Sequence, residues 1–304
     1  MNEHLFKRNE EIYRKLNIPV WHAAGITGAG VNVAVIGYGG CLAAKKPYLT
    51  NVNDAGKGSY HDGDEIIHAV APGAKIFGIN IFKGGWSFAE ALRWCLEHDI
   101  GVICTSIRLS TWADEREELS RQLYEKGAIM IDSADNEAKE NSIGYPAKSP
   151  YWFAVGAYDE LNKGKAGYSS WGKELDCLMY TDLAVEAKEG YYVPISHTSG
   201  ATQLVAGMAA LLKEHLRITP EGFREFIRQH SIDIDQEGWD PETGFGLFVL
   251  PAEIQKKEGE QEMNKPQYII IHHSATKQGD AETFRRAHKA KGWRDIGYHY
   301  VIGN

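Results

Sequence analysis

The chain has 304 residues, enough for two ordinary domains or one large domain with an extension. Its 43% apolar and 24% charged residues, with 8 Trp and 15 Tyr, make a globular composition and exclude disorder, collagen-like repeats and coiled coil. The net charge of −8 argues against nucleic acid as the main partner and against a basic membrane-surface role.

Met1 to Asn17 alternates charged and apolar residues, which reads as an N-terminal helical extension (1–17) rather than a signal peptide. No stretch reaches the roughly 18 apolar residues of a membrane span, so the expectation is a soluble protein made in the cytoplasm, which fits either a cytoplasmic role or release by lysis. From Val31 onward, short apolar runs alternate with helical segments. The runs Val31–Ile36, Lys75–Phe82, Gly101–Ser106, Ala128–Ser133 and Trp152–Tyr158 are apolar throughout, as suits strands of a parallel sheet covered on both faces. Ser87-Phe88-Ala89-Glu90 has capping-box spacing and predicts a helix running to His98. A second helix, Gly200 to Leu216, carries Leu204, Met208, Leu211, Leu212 and Leu216 on or near one face. Strands separated by helices give an α/β fold class, a parallel sheet with helices on both faces. The cysteines, Cys41, Cys95, Cys104 and Cys177, are too scattered for a zinc finger and read as buried thiols.

Composition shifts at Lys256–Glu262, KKEGEQE, which reads as a linker (256–262). A second block, 263–304, follows: the strand-like Tyr268–Ile271, then His272-His273-Ser274, a polar helix, and Gly297 to Ile302. A block this short cannot build an independent core without metal or disulfide, so it is expected to be truncated or docked on the first (18–255).

Ser199 lies at the start of the Gly200–Leu216 helix, where unpaired backbone N–H groups and the macrodipole favour developing negative charge. That suits an acyl-transfer nucleophile, but spacing alone favours a plain N-cap serine. The surrounding segment, HTSGATQLVAG from His197 to Gly207, resembles the serine motif of the subtilisin-like proteases, with Thr198-Ser199, Ala201 and Val205-Ala206-Gly207 in register. Further landmarks follow in that family's order: VNVAVIG from Val31, VAPGAKIF from Val70, Ser133-Ala134-Asp135-Asn136, Tyr145-Pro146-Ala147, Tyr168-Ser169-Ser170 and Gly244-Phe245-Gly246-Leu247. The resemblance spans about Ile18 to Gln255 and implies that family's fold, Ser199 as nucleophile and Asn136 as side-chain oxyanion donor. It leaves bound calcium and oligomeric state open.

The same resemblance marks departures. Gly37 stands where the family's aspartate ends the first strand. Counting back from Ala71-Pro72 puts Ser59 at the histidine position, and a two-residue gap brings His61 there. Asp62 or Asp64 could replace the acid, although acidic loop residues are usually only solvated. His68 reads as a satisfied core residue, and His197, beside the nucleophile where glycine is usual, could serve as a substitute base. Ile107-Arg108-Leu109 replaces the glycine-rich segment of the substrate groove. These features point to a degenerate peptidase, a pseudoenzyme. Two other readings remain open: a working serine endopeptidase with His61 or His197 as base, and a non-enzymatic module that binds peptide or cell wall.

In the second block, YIIIHHSAT from Tyr268 and GWRDIGYHY from Gly292 resemble the opening of the zinc-dependent N-acetylmuramoyl-L-alanine amidases. That resemblance implies His272 as first zinc ligand, Tyr298 as active-site tyrosine and peptidoglycan as substrate, with the remaining zinc ligands expected beyond Asn304. Zinc is therefore expected only in a full-length amidase domain, and the whole reads as a modular wall-lytic protein, phage-like or bacterial.

Overall fold

The computed structural model describes residues 3–38, 47–53, 63–82, 84–188, 191–254 and Arg286, with only the backbone described at 3–6 and 187–188. The chain divides into two units, Met1–Gln255 and Lys256–Asn304. Of the second, only Arg286 is described, helical and exposed. Cys41, Ser59, His61, Asp62, the linker, His272 and Tyr298 all lie outside the described residues.

The first unit opens with helices α1 (Glu3–Lys15) and α2 (Ile18–Ala23), followed by β1 (Asn32–Gly37), β2 (Leu49–Asn51), α3 (Asp64–Val70), β3 (Lys75–Asn80), α4 (Phe88–Glu97) and β4 (Val102–Thr105). Next come α5 (Asp114–Glu125), β5 (Ile129–Ser133), β6 (Trp152–Asp159), β7 (Gly164–Lys165), β8 (Leu175–Met179), β9 (Leu183–Lys188) and β10 (Tyr191–Ile195). The unit closes with α6 (His197–Leu216), α7 (Pro220–His230), β11 (Ser231–Ile232) and β12 (Leu247–Phe248). Strand order in the main sheet is β11-β12-β8-β6-β5-β4-β1-β3-β2, with β7 pairing β6, and β9–β10 form a separate antiparallel hairpin. All neighbours from β12 to β2 run parallel.

The five strands read from apolar runs are all present, within two residues at each end. Their side chains show why the runs are continuous. Val33 and Val35 of β1 enter the core shared with α3 and α6, while Ala34 and Ile36 enter the core shared with α4 and α5. Successive strand residues point to opposite faces, and both faces are covered. The capping box of α4 forms as read, with Ser87 Oγ accepting from Glu90 N and Glu90 Oε2 from Ser87 N. Cys95, Cys104 and Cys177 are buried free thiols, as expected.

Helix α6 departs from its one-faced reading. It begins at His197, earlier than Gly200, and is buried on every side from Gly200 to Leu212, while Leu216 is 42% exposed. The small residues Ala201, Ala206, Gly207, Ala209 and Ala210 form its second apolar face. Gly207 permits a close crossing with α3, for a Cβ there would stand 2.6 Å from Val70 Cβ. At the far end, the Glu214 carboxylate accepts the backbone N–H groups of Thr27, Gly28 and Ala29 at 2.7, 2.5 and 3.0 Å. Among the described residues no helix is long and apolar enough to cross a membrane.

Two buried carboxyls tie the strand ends. Asp176 of β8 takes Arg224 Nε at 2.9 Å and the Ala154 N–H at 2.9 Å, which fastens α7 to the sheet. Asp132 of β5 accepts the Ala147 N–H at 2.9 Å, joining the strand to the turn that carries the cis Tyr145-Pro146 bond. Burial, reinforced by the neighbouring Asp135, pushes the Asp132 carboxyl well above the usual carboxylate range.

Gly207→Ala is expected to overpack the α3–α6 crossing and lower stability by about 1–3 kcal/mol in urea unfolding. An unchanged midpoint would show that Val70 yields freely. Asp132 gives a pH signature of known sign. Its folded pKa lies above the unfolded value of about 3.9, so its contribution is complete below that pH and is lost as pH rises through the folded pKa. Asp132→Asn can still accept from Ala147 but cannot ionise. Unfolding midpoints measured from pH 4 to 9 should therefore show the wild type losing ground to Asp132→Asn as pH rises, and parallel profiles would refute the assignment.

Candidate active site

The sequence-read nucleophile and oxyanion donor come together through backbone and carboxamide chemistry. Ser199 is the third residue of α6, and Ser196 occupies the N-cap position without a side-chain cap bond. The plain N-cap reading of Ser199 is thereby corrected. The missing cap comes from another strand: Asn136, beyond the end of β5, accepts through Oδ1 from Thr198 N at 3.2 Å and Thr198 Oγ1 at 3.0 Å. With Oδ1 accepting from both Thr198 donors, Nδ2 is the donor left to the exposed Asn136 side chain. Ser199 is half-buried, and among the described residues its hydroxyl has no hydrogen-bond partner.

A cavity of about 190 Å³ adjoins Ser199, lined by Gly37 and Tyr38 at the end of β1, Cys104 and Ser106 at β4, and Gln203 one turn further along α6. Gly37 and Ser199 thus share one cavity, and the end of β1 presents no acid to it. The sequence reading passed over Cys104 and Gln203. For Gln203 the signal was available, since a residue four positions after Ser199 shares its helix face.

The alternative acids and bases are distributed as follows. Asp64 is fully buried in the first turn of α3 and takes the Tyr48 hydroxyl at 3.2 Å, which corrects its reading as a solvated loop residue. His68 is half-buried and stacks on Tyr48 with ring centroids 3.8 Å apart. His197 is exposed, with its ring edge-on to Tyr168 at 4.5 Å, and no hydrogen bond joins it to Ser199. Its backbone has φ +66°, a left-handed conformation that costs a non-glycine residue roughly 1–3 kcal/mol unless its surroundings hold it.

The substrate-side segment is not loose. Arg108 Nη1 lies 3.5 Å from Asp135 Oδ2 and 3.4 Å from Glu137 Oε1, and Asp135 Oδ2 also accepts the Gly144 N–H at 2.8 Å. Burial raises the Asp135 pKa, against the Gly144 hydrogen bond and the Arg108 charge, which lower it. Among the described residues no three His, Cys, Asp or Glu side chains gather where a metal ion could be held.

Comparison with known proteins bears on the family and the fold. The chain is 25% identical over 315 residues to the minor extracellular protease Epr of Bacillus subtilis (strain 168), a match that covers 90% of this chain and 48% of Epr. To subtilisin E of the same organism it is 28% identical over 230 residues, covering 65% of this chain and 59% of that protein. It thus spans about half to three-fifths of the length of these relatives. Among solved structures, a lanthipeptide protease superposes with TM-score 0.62 at 16% identity, covering 78% of this chain and 93% of that one. The prenylagaramide maturation protease PagA does so with TM-score 0.62 at 19% identity, covering 75% and 94%. Both show a shared fold. The subtilase family model matches residues 22–246, most of the first unit, and the chain belongs to the subtilase family.

Proposed function

We propose that residues 18–255 form a peptide-binding subtilase domain whose serine-peptidase chemistry is strongly attenuated. The observation that carries this reading is Gly37, which lines one cavity with Ser199 where the family's acid would stand. A serine nucleophile needs a base to take its proton, and that base needs an acid to orient it. Loss of the acid alone lowers turnover by about 10⁴, roughly 5–6 kcal/mol of barrier. What remains is the electrophile side of the site. The Asn136 amide and the α6 N-terminus can hold a peptide carbonyl oxygen whether or not acyl transfer follows. A peptide occupant is supported by the family and by the protease names of both structural neighbours.

The second reading is a working endopeptidase that uses His61 or His197 as base. Ser199 and the oriented Asn136 favour it. A fluorophosphonate probe separates the two. The attenuated reading expects Ser199 to label about 10⁴-fold more slowly than an intact subtilisin, with His61→Ala and His197→Ala unchanged and Ser199→Ala as blank. Fast labelling lost in either histidine variant would establish the endopeptidase instead.

For 263–304, joined through the linker 256–262, the proposal is the opening of a muramoyl-alanine amidase acting on peptidoglycan, with His272 as zinc ligand and Tyr298 at its site. It rests on the two sequence motifs, and the family match ends before this block. Clearing of a cell-wall suspension by the complete gene product, abolished by His272→Ala, tests the assignment; clearing that survives the substitution rejects it.

A further inference from the structure

The left-handed His197 peptide needs something to hold it, and the structure supplies a specific device. Thr181, 3% exposed between β8 and β9, donates from Oγ1 to the His197 carbonyl oxygen at 2.6 Å. Burial lifts the Tyr168 phenol pKa to about 12. The Tyr168 ring also lies edge-on to the His197 ring. From the other side, Arg8 Nη2 of α1 reaches the Thr181 carbonyl at 3.3 Å. Gly200 completes the fit, because a Cβ there would stand 2.5 Å from the Ile195 carbonyl oxygen and 3.0 Å from Thr181 Oγ1.

We propose that Thr181 is a positioning residue. Its hydroxyl holds the His197 carbonyl, and with it the left-handed start of α6, while the Tyr168 ring packs against the His197 ring. Ser199 is thereby kept in register with Asn136. The proposal rests on reading Ser199 and Asn136 as the working groups of the site. The His197 carbonyl is also the helical acceptor for the Ala201 N–H, four residues on. One carbonyl therefore couples the Thr181 hydroxyl to the first turn. Without Thr181 Oγ1 the His197 peptide is free to rotate, and the Thr198–Asn136 bonds lose their register.

Thr181→Val keeps the shape and removes the hydroxyl, and Thr181→Ser restores it. Amide hydrogen exchange on the full chain is expected to rise at least tenfold at Thr198 and Ala201 in Thr181→Val. The segment Leu204–Leu212 should stay unchanged and Thr181→Ser should return to wild type. Labelling of Ser199 by a fluorophosphonate should slow in Thr181→Val and recover in Thr181→Ser. Exchange that is unchanged, or raised uniformly along α6, overturns the proposal whatever the labelling shows. If the wild type does not label at all, the reading of Ser199 fails, and exchange alone still decides the positioning.

Discussion

One carboxamide oxygen organises the site. A helix leaves its first N–H groups without intrahelical partners, and a polar side chain usually covers one of them. Ser196 does not, and Asn136 Oδ1, from beyond β5, takes the Thr198 N–H instead. That bond fixes the α6 start against the sheet. It also sets which atom of the Asn136 amide is engaged, since the oxygen meets the donors and Nδ2 is left as the donor of that side chain.

The groups that shape the site differ from those that would run acid–base chemistry in it. Fold and register depend on Asn136, Thr198, Thr181 and the packing of α6 against α3. The position at the end of β1 contributes little to either. Thr105 Oγ1 bonds the Ile36 carbonyl at 2.8 Å and closes β1 onto β4 without help from the Gly37 position. A glycine there leaves the architecture standing. This separation explains how a subtilase sheet can carry Ser199 beside a cavity with no acid at the end of β1.

Much of the fold was legible because both faces of a parallel sheet are covered, so its strands read as continuous apolar runs. The capping box at Ser87 worked for a local reason, with four consecutive residues holding the whole signal. The all-round burial of α6 was less visible because six of its fifteen buried residues are alanine or glycine, which a search for large apolar residues passes over. Asp64 was misread because a charged residue in a polar stretch looks solvated until Tyr48, brought by the fold, covers it. The hold on His197 left no pattern at all. A left-handed non-glycine residue, a threonine and a tyrosine far apart in sequence are each unremarkable until the backbone folds them together. Arg108 was read as a departure from the family's pattern, and its engagement by Asp135 and Glu137 needed the loop geometry.

The Glu214 carboxylate, seated on three successive N–H groups of the Thr27–Ala29 loop, gives α6 a second fixed point. A negative charge near a helix C-terminus opposes the macrodipole, and the three donors offset that opposition. With Thr198 tied at one end and Glu214 at the other, α6 behaves as a ruler of about 24 Å. Adding or deleting a single residue between them would turn one end by about 100° relative to the other. Ser199 and the Thr27–Ala29 loop could then no longer both be satisfied. Loops around the sheet can change length as this protein diverges, but the interval inside α6 cannot.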